Sequence, residues 1–157
     1  SAARNTGAAK ATGDVLVFLE ADSVIASNLL QEIHNTIHAG SIGGTTRTVS
    51  LENVWKAKLL WTFAHYFRIM FFSFLPTASG LIFCRKDAKD GFPLYDETRK
   101  LAEDTHFFLN IKKQGKLTYI SKSFIKTSSR RLEEQGYIKT IFKQYKAFFL
   151  KDTDGYS

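Results

Sequence analysis

The stretch from Gly13 to Asp22, Gly-Asp-Val-Leu-Val-Phe-Leu-Glu-Ala-Asp, constrains this chain more than any other. Val15 to Leu19 is continuously apolar and is β-branched or aromatic at three of five positions, the pattern of a short strand covered on both faces of a sheet. Glu20 and Asp22 follow directly past its C-terminal edge. In open α/β sheets that edge is where ligands bind, and two carboxylates one residue apart can turn toward one cation. Hard oxygen donors of this kind suit Mg²⁺ or Mn²⁺. A strand followed by an ordinary acidic turn would read the same way, so the stretch alone leaves both readings open.

Its surroundings carry more. Ala3-Arg4-Asn5-Thr6-Gly7, with Ala11 and Gly13, precedes the strand, and Leu29-Leu30 follows it. The alanine-rich run from Ala2 to Ala11 predicts a helix that brings Arg4 and Asn5 close to the acidic edge. Further on lies Leu101-Ala102-Glu103-Asp104-Thr105-His106-Phe107-Phe108-Leu109. Helical spacing places Asp104 on one face with Phe107, Phe108 and Ile111, so its carboxylate points inward. A first-turn acid complementing the helix dipole is the other explanation, and it fits Glu103 better than Asp104. Burial would raise the Asp104 pKa and the helix N-terminus would lower it.

In their order and separation these two runs resemble the family-two glycosyltransferases of the GT-A fold. The resemblance implies an α/β fold, an incomplete GT-A-like (nucleotide-diphospho-sugar transferase) sheet flanked by helices. Residues 1–157 would then be a partial glycosyltransferase domain, the metal-binding and acceptor half, with a C-terminal amphipathic helix over about 132–150. The chain opens inside a helix and without methionine, whereas family members place nucleotide-binding βα units before the Ala-Arg-Asn run. The resemblance thus implies a C-terminal portion of a catalytic domain, inactive by itself.

The implied reaction is transfer of a sugar from a nucleotide-sugar donor to a hydroxyl of a glycan or lipid-linked acceptor, metal-dependent and inverting. Asp22 matches the family's metal ligand. Glu20, a methylene longer than the usual aspartate, is implied as a second ligand or as a water-mediated or ribose contact. A divalent cation, Mg²⁺ or Mn²⁺, would stabilise charge on the leaving phosphate, and the attacking hydroxyl needs a base, for which Asp104 is the match. Arg4, Asn5 and Glu103 are implied on the binding surface. Thr77-Ala78-Ser79-Gly80 with Leu81 to Arg85 resembles the family's acceptor-side strand, with Gly80 allowing close approach and Arg85-Lys86 opening a short helix. Gly91-Phe92-Pro93-Leu94-Tyr95-Asp96-Glu97 resembles its Gly-Phe-Asp-Glu loop, with insertions. Arg130 or Arg131, in Ser128-Ser129-Arg130-Arg131, would clamp a diphosphate; a basic turn before a helix is the alternative.

Bulk properties bound the rest. The length fits one domain, 44% apolar residues fill a core, and the net charge of +7 suits phosphate, nucleic acid or an anionic membrane surface. The single cysteine, Cys84, excludes an internal disulfide and sits in an apolar run, as a buried thiol does. Ser27 is the expected N-cap of a helix through His38 closed by Gly40, with His34 and His38 exposed. Ile42 to Val49 predicts a strand, and Val54 to Phe74 a helix ended by Pro76. The aromatics of that helix exceed one buried stripe, so it is either buried on two sides or faces a partner or lipid. His65 and Arg68 interrupt its apolar region, which is too short to span a bilayer. Strands are expected at Leu117 to Ile120 and Phe124 to Thr127, then an amphipathic helix from Tyr137 to Phe149 with Lys139, Lys143 and Lys146 on its polar side.

The family reading implies a cytoplasmic protein, at the cytoplasmic face of a membrane with peripheral contact, serving cell-envelope polysaccharide and binding no nucleic acid. The rival is a non-catalytic basic module for nucleic acid or an anionic membrane surface, which leaves the inward Asp104 unexplained.

Overall fold

The computed structural model describes residues 1–74, 76, 77, 80–87, 92–98 and 103–136, with the side chains of Arg131, Leu132 and Gln135 excepted. The helix expected from Tyr137 to Phe149 therefore lies outside the described residues, as do Ala78, Ser79, Gly91, Leu101 and Ala102. The strands are β1 (Val15–Leu19), β2 (Ser23–Ile25), β3 (Gly43–Ser50), β4 (Leu81–Arg85) and β5 (Leu117–Thr127). They form one five-stranded sheet in the order β1-β4-β3-β5-β2. β3 and β5 run parallel, and the remaining neighbours are antiparallel. The helices are α1 (Ala2–Lys10), α2 (Leu29–His38), α3 (Trp55–Phe71), α4 (Glu103–Lys112) and α5 (Arg130–Gln135). This is the mixed α/β, GT-A-like arrangement that the sequence resemblance implies.

β4 divides the core. Strand side chains alternate between faces, so Ile82 and Cys84 join Leu16, Phe72, Phe107, Phe108 and Ile111 on one side. Leu81 and Phe83 join Leu29, Ile33, Ile120 and Ile125 on the other. Its unbroken apolar run is that of a strand covered on both faces. β1 is not such a strand, contrary to the expectation from its composition. It pairs only with β4 among the described strands, and Val17 and Leu19 stay exposed while Leu16 is buried. Burial of the Cys84 thiol pushes its pKa up to about 12.

Gly43 and Gly44 let β3 pass between its neighbours. A Cβ on Gly44 would stand 2.0 Å from the Thr118 carbonyl oxygen and 2.6 Å from the Phe83 ring. One on Gly43 would stand 2.6 Å from the Phe83 carbonyl oxygen. No side chain fits there without displacing backbone.

Three local expectations are corrected. The two strands expected at the end of the chain are one, β5, whose register slips so that Ile120 opposes Thr46 and Phe124 opposes Arg47. The Thr46 hydroxyl lies 3.0 Å from the Ile120 carbonyl and 2.9 Å from that of Ser123, and so fastens the intervening bulge. Asn28, not Ser27, is the N-cap of α2, and it makes no side-chain cap bond. Its amide is instead engaged by the bulge, accepting from Ser123 Oγ at 2.9 Å and donating to the Lys122 carbonyl at 3.3 Å. Arg85 ends β4 and Lys86 and Asp87 form a bend, so this pair does not open a helix; residues 88–91 lie outside the described residues. His34 and His38 are exposed, as expected.

Gly44→Ala should cost about 2–3 kcal/mol in urea unfolding, as overpacking does. Gly7→Ala, in α1 with nothing within 4 Å of the added methyl, should be neutral or stabilising by up to about 1 kcal/mol. Similar losses for both would show that β3 does not pass as closely as described.

Candidate active site

The carboxyl end of β1 meets the start of β4, where Leu19 pairs with Leu81 and the Glu20 amide donates to the Gly80 carbonyl at 3.1 Å. Gly80 has a φ of 75°, and a Cβ there would sit 2.7 Å from Ile125 Cδ1 and 3.5 Å from Glu20 Oε2. The positive φ favours glycine at position 80, and an added Cβ would also have to displace the end of the Ile125 side chain. Beside it opens a small pocket lined by Arg4, Phe18, Glu20, Gly80, Tyr95 and Asp104, among others.

Arg4 joins the first helix to the fourth. Its Nη1 lies 2.7 Å from Glu103 Oε1 and 3.0 Å from Asp104 Oδ1, while the guanidinium carbon stands 5.1 Å from the centre of the Tyr95 ring. Burial opposes the Arg4 charge, yet the carboxylate of Asp104 and then Tyr95 and Glu103 hold its pKa above the ordinary value. For Asp104 the balance falls the other way. Burial pushes its carboxyl above the usual carboxylate range, Arg4 draws it back only in part, and Glu103 adds to the rise. Oδ1 is shielded from solvent and meets Arg4 as an ion pair without hydrogen-bond alignment. The side chain as a whole remains 35% exposed where it lines the pocket. Glu103 is also opposed by burial, but its contacts with Ser1 and Arg4 hold it below the ordinary range.

Tyr95 is the site residue that sequence reasoning missed. Its ring stacks on Phe107 at 3.9 Å between centroids with 9° between planes, and meets Phe18 edge-on at 5.4 Å. Its hydroxyl is buried, and burial followed by the Asp104 charge pushes the phenol pKa upward. Asn5 holds the backbone of this loop as a strand neighbour would. It donates to the Tyr95 carbonyl at 2.9 Å, accepts from the Tyr95 amide at 2.8 Å and donates to Glu97 at 2.8 Å. The only signal in the sequence was an aromatic inside the Gly-Phe-Asp-Glu-like loop.

Asp22 and Arg130 are not among the described residues that line the pocket. Asp22, on the turn between β1 and β2, is exposed and accepts from Thr127 Oγ1 at 3.5 Å. Arg130 opens α5, is 84% exposed and faces Glu134 at 3.7 Å. The side chain of Arg131 lies outside the described residues.

A family model described as glycosyl transferase family 2 matches residues 1–92. The chain belongs to glycosyltransferase family 2. A search of curated proteins found no match. Membership in the family means sugar transfer in general, from a nucleotide-sugar donor to an acceptor. The matched part of this family-two glycosyltransferase holds Arg4, Asn5, Glu20, Asp22 and Gly80. Glu103 and Asp104 lie beyond it and are brought to it by the Arg4 ion pairs. Divalent cations are common in the family. Among the described residues no three His, Cys, Asp or Glu side chains cluster as a complete protein-built metal site. Mg²⁺ and Mn²⁺ are often held by one or two carboxylates with waters and substrate phosphates completing the shell, and here Glu20 lines the pocket while Asp22, on the same turn, faces Thr127. No described helix is long and apolar enough to cross a membrane.

Because the folded Asp104 pKa is raised, the fold favours the neutral acid, and stability contributed by that form is lost as pH rises through the folded value. Asp104→Asn, neutral throughout, should therefore gain stability relative to the unaltered protein as pH rises above about 4, and the gain should level off once pH has passed the raised folded value. Urea unfolding at a series of pH values measures this. A difference independent of pH would show that Asp104 is not held above its ordinary value.

Proposed function

We propose that this protein transfers a sugar from a nucleotide-sugar donor to a hydroxyl of a glycan or lipid-linked acceptor, with metal dependence and inversion, and with Asp104 as the general base. The observation that supports this most is the Asp104 carboxyl on the pocket wall, one oxygen shielded from water and its pKa raised by burial. A base works best when its pKa approaches the operating pH, because it is then ionised yet still holds a proton well. Arg4 limits the rise and meets the carboxyl through Oδ1. Tyr95, stacked on Phe107 and braced by Asn5, walls one side of the acid, and its hydroxyl interacts with the Asp104 carboxyl.

Asp22 and Glu20 would hold the divalent cation, which would stabilise the charge that develops on the leaving diphosphate. Gly80 lets a bound sugar approach the backbone closely, and Arg130 with Arg131 would pair with phosphate oxygens. Direct displacement at the anomeric carbon leaves the acceptor proton to Asp104 and inverts the configuration. The acceptor is part of cell-envelope polysaccharide, elongated at the cytoplasmic face of a membrane.

In the protein, Asp104→Asn should lower kcat by roughly 10²-fold or more with donor affinity nearly unchanged. Near-native turnover would remove Asp104 from the chemistry. The rate should climb as pH rises through the raised Asp104 value, and Arg4→Met, which removes a lowering charge, should move that acid limb to higher pH. A limb that stays in place would separate Arg4 from the base. Calorimetry with Mn²⁺ and a nucleoside diphosphate tests the cation site: Asp22→Ala should abolish the metal-dependent part of binding, and unaltered affinity would place the cation elsewhere.

A further inference from the structure

α3 has two opposed faces. At about 100° per residue, Ala57, Trp61, Arg68 and Phe72 fall together on the side turned to the sheet. Trp55, Leu59, Phe63, Tyr66 and Met70 fall within a stripe roughly 100° wide on the opposite side, and Phe74 extends it. Trp55 is 68% exposed, Phe63 69%, Met70 70% and Phe74 81%. Single exposed apolar residues are ordinary on a protein surface, but a largely apolar, aromatic-rich stripe along a whole helix marks an interaction site.

Charge decides the partner. No acidic residue occurs between Glu52 and Asp87. Lys56 and Lys58 flank the stripe on its two sides near the start of α3. At its far end, Lys112 of α4 reaches over the chain, with Nζ 2.9 Å from the Ser73 carbonyl and 3.4 Å from that of Phe74. The stripe is thus apolar along its length and cationic at both ends. Stacking it on the same stripe of a second copy would set lysine against lysine in either direction, with no acid of the stripe to pair them. An anionic bilayer surface satisfies both parts at once: the aromatics and Met70 enter the boundary between headgroups and acyl chains, and the lysines meet lipid phosphates. A helix of 17 residues lies about 25 Å along such a surface, and it is too short to span.

We propose that α3 is a membrane-docking helix, which lies in the headgroup plane of an anionic bilayer and inserts the stripe from Trp55 to Phe74. This inference stands on the surface of α3 and does not depend on sugar transfer.

The test mixes the purified chain with vesicles of phosphatidylcholine alone or of equal parts phosphatidylcholine and phosphatidylglycerol, followed by sedimentation. The chain should sediment with the anionic vesicles and far less with the neutral ones. Leu59→Gln, Phe63→Gln and Met70→Gln together, all on the exposed face, should leave the circular dichroism spectrum intact and lower partition at least about tenfold. A local reporter comes from Trp61→Phe, which leaves Trp55 as the only indole and removes a buried N–H that has no hydrogen-bond partner. Trp55 emission should shift to the blue on addition of anionic vesicles. Three results would overturn the proposal: vesicle binding unaffected by the triple variant, Trp55 emission unmoved by vesicles, or a soluble dimer in light scattering that the triple variant dissolves.

Discussion

Arg4 is the joint on which the pocket depends. Its ion pairs with Glu103 and Asp104 connect side chains 99 residues or more apart, and the same guanidinium covers the Tyr95 ring. Each pair is partly open to water, so its direct contribution to stability is on the order of 1 kcal/mol or less. The larger effect is placement. Without Arg4 the carboxyl of Asp104 loses a charge that limits its pKa, and Oδ1 keeps its shielding from solvent without its cation. Asn5, the next residue, braces the Tyr95 backbone. Two adjacent residues of α1 thus fix both an acid and the aromatic wall beside it.

The sheet supplies the other constraint. β3 sits between β4 and β5 only because Gly43 and Gly44 carry no side chain, and β4 then buries Leu81 and Phe83 on one face and Ile82 and Cys84 on the other. The rigid position of β4 places Gly80 at the carboxyl end of β1. Site and core are therefore parts of one packing arrangement, in which the pocket opens where the β1–β4 pairing stops.

Much of this was legible in the sequence where a pattern is local. The apolar run of β1, the helical spacing of α2, and the inward direction of Asp104 in α4 follow from periodicity alone. Features that need two distant segments were not legible. β1 and β4 are both short apolar runs, and composition cannot tell which one is covered on both faces; pairing decides it. Ser27 and Asn28 are both good caps, and only the β5 bulge, with Ser123 and Lys122 in reach of Asn28, diverts the Asn28 side chain from capping. Tyr95 acquires meaning only beside Asn5 and Asp104, because a lone tyrosine in a loop has no periodicity to reveal it. The aromatic excess of α3 was visible, but which of those rings face water required the helix to be seated on the sheet.

The parallel pairing of β3 with β5 has a consequence for how the molecule comes to exist. Thr46 meets Ile120 across a separation of 74 residues. Contacts of this span form late, because the intervening loop must lose its freedom before the pairing repays it. During synthesis the free edge of β3 must wait until β5 has emerged, although the part bearing the family signature ends at residue 92. An open strand edge is a template for wrong partners. The segment that matches the family model is thus made before the strand that completes its sheet, and its maturation is set by a strand outside it.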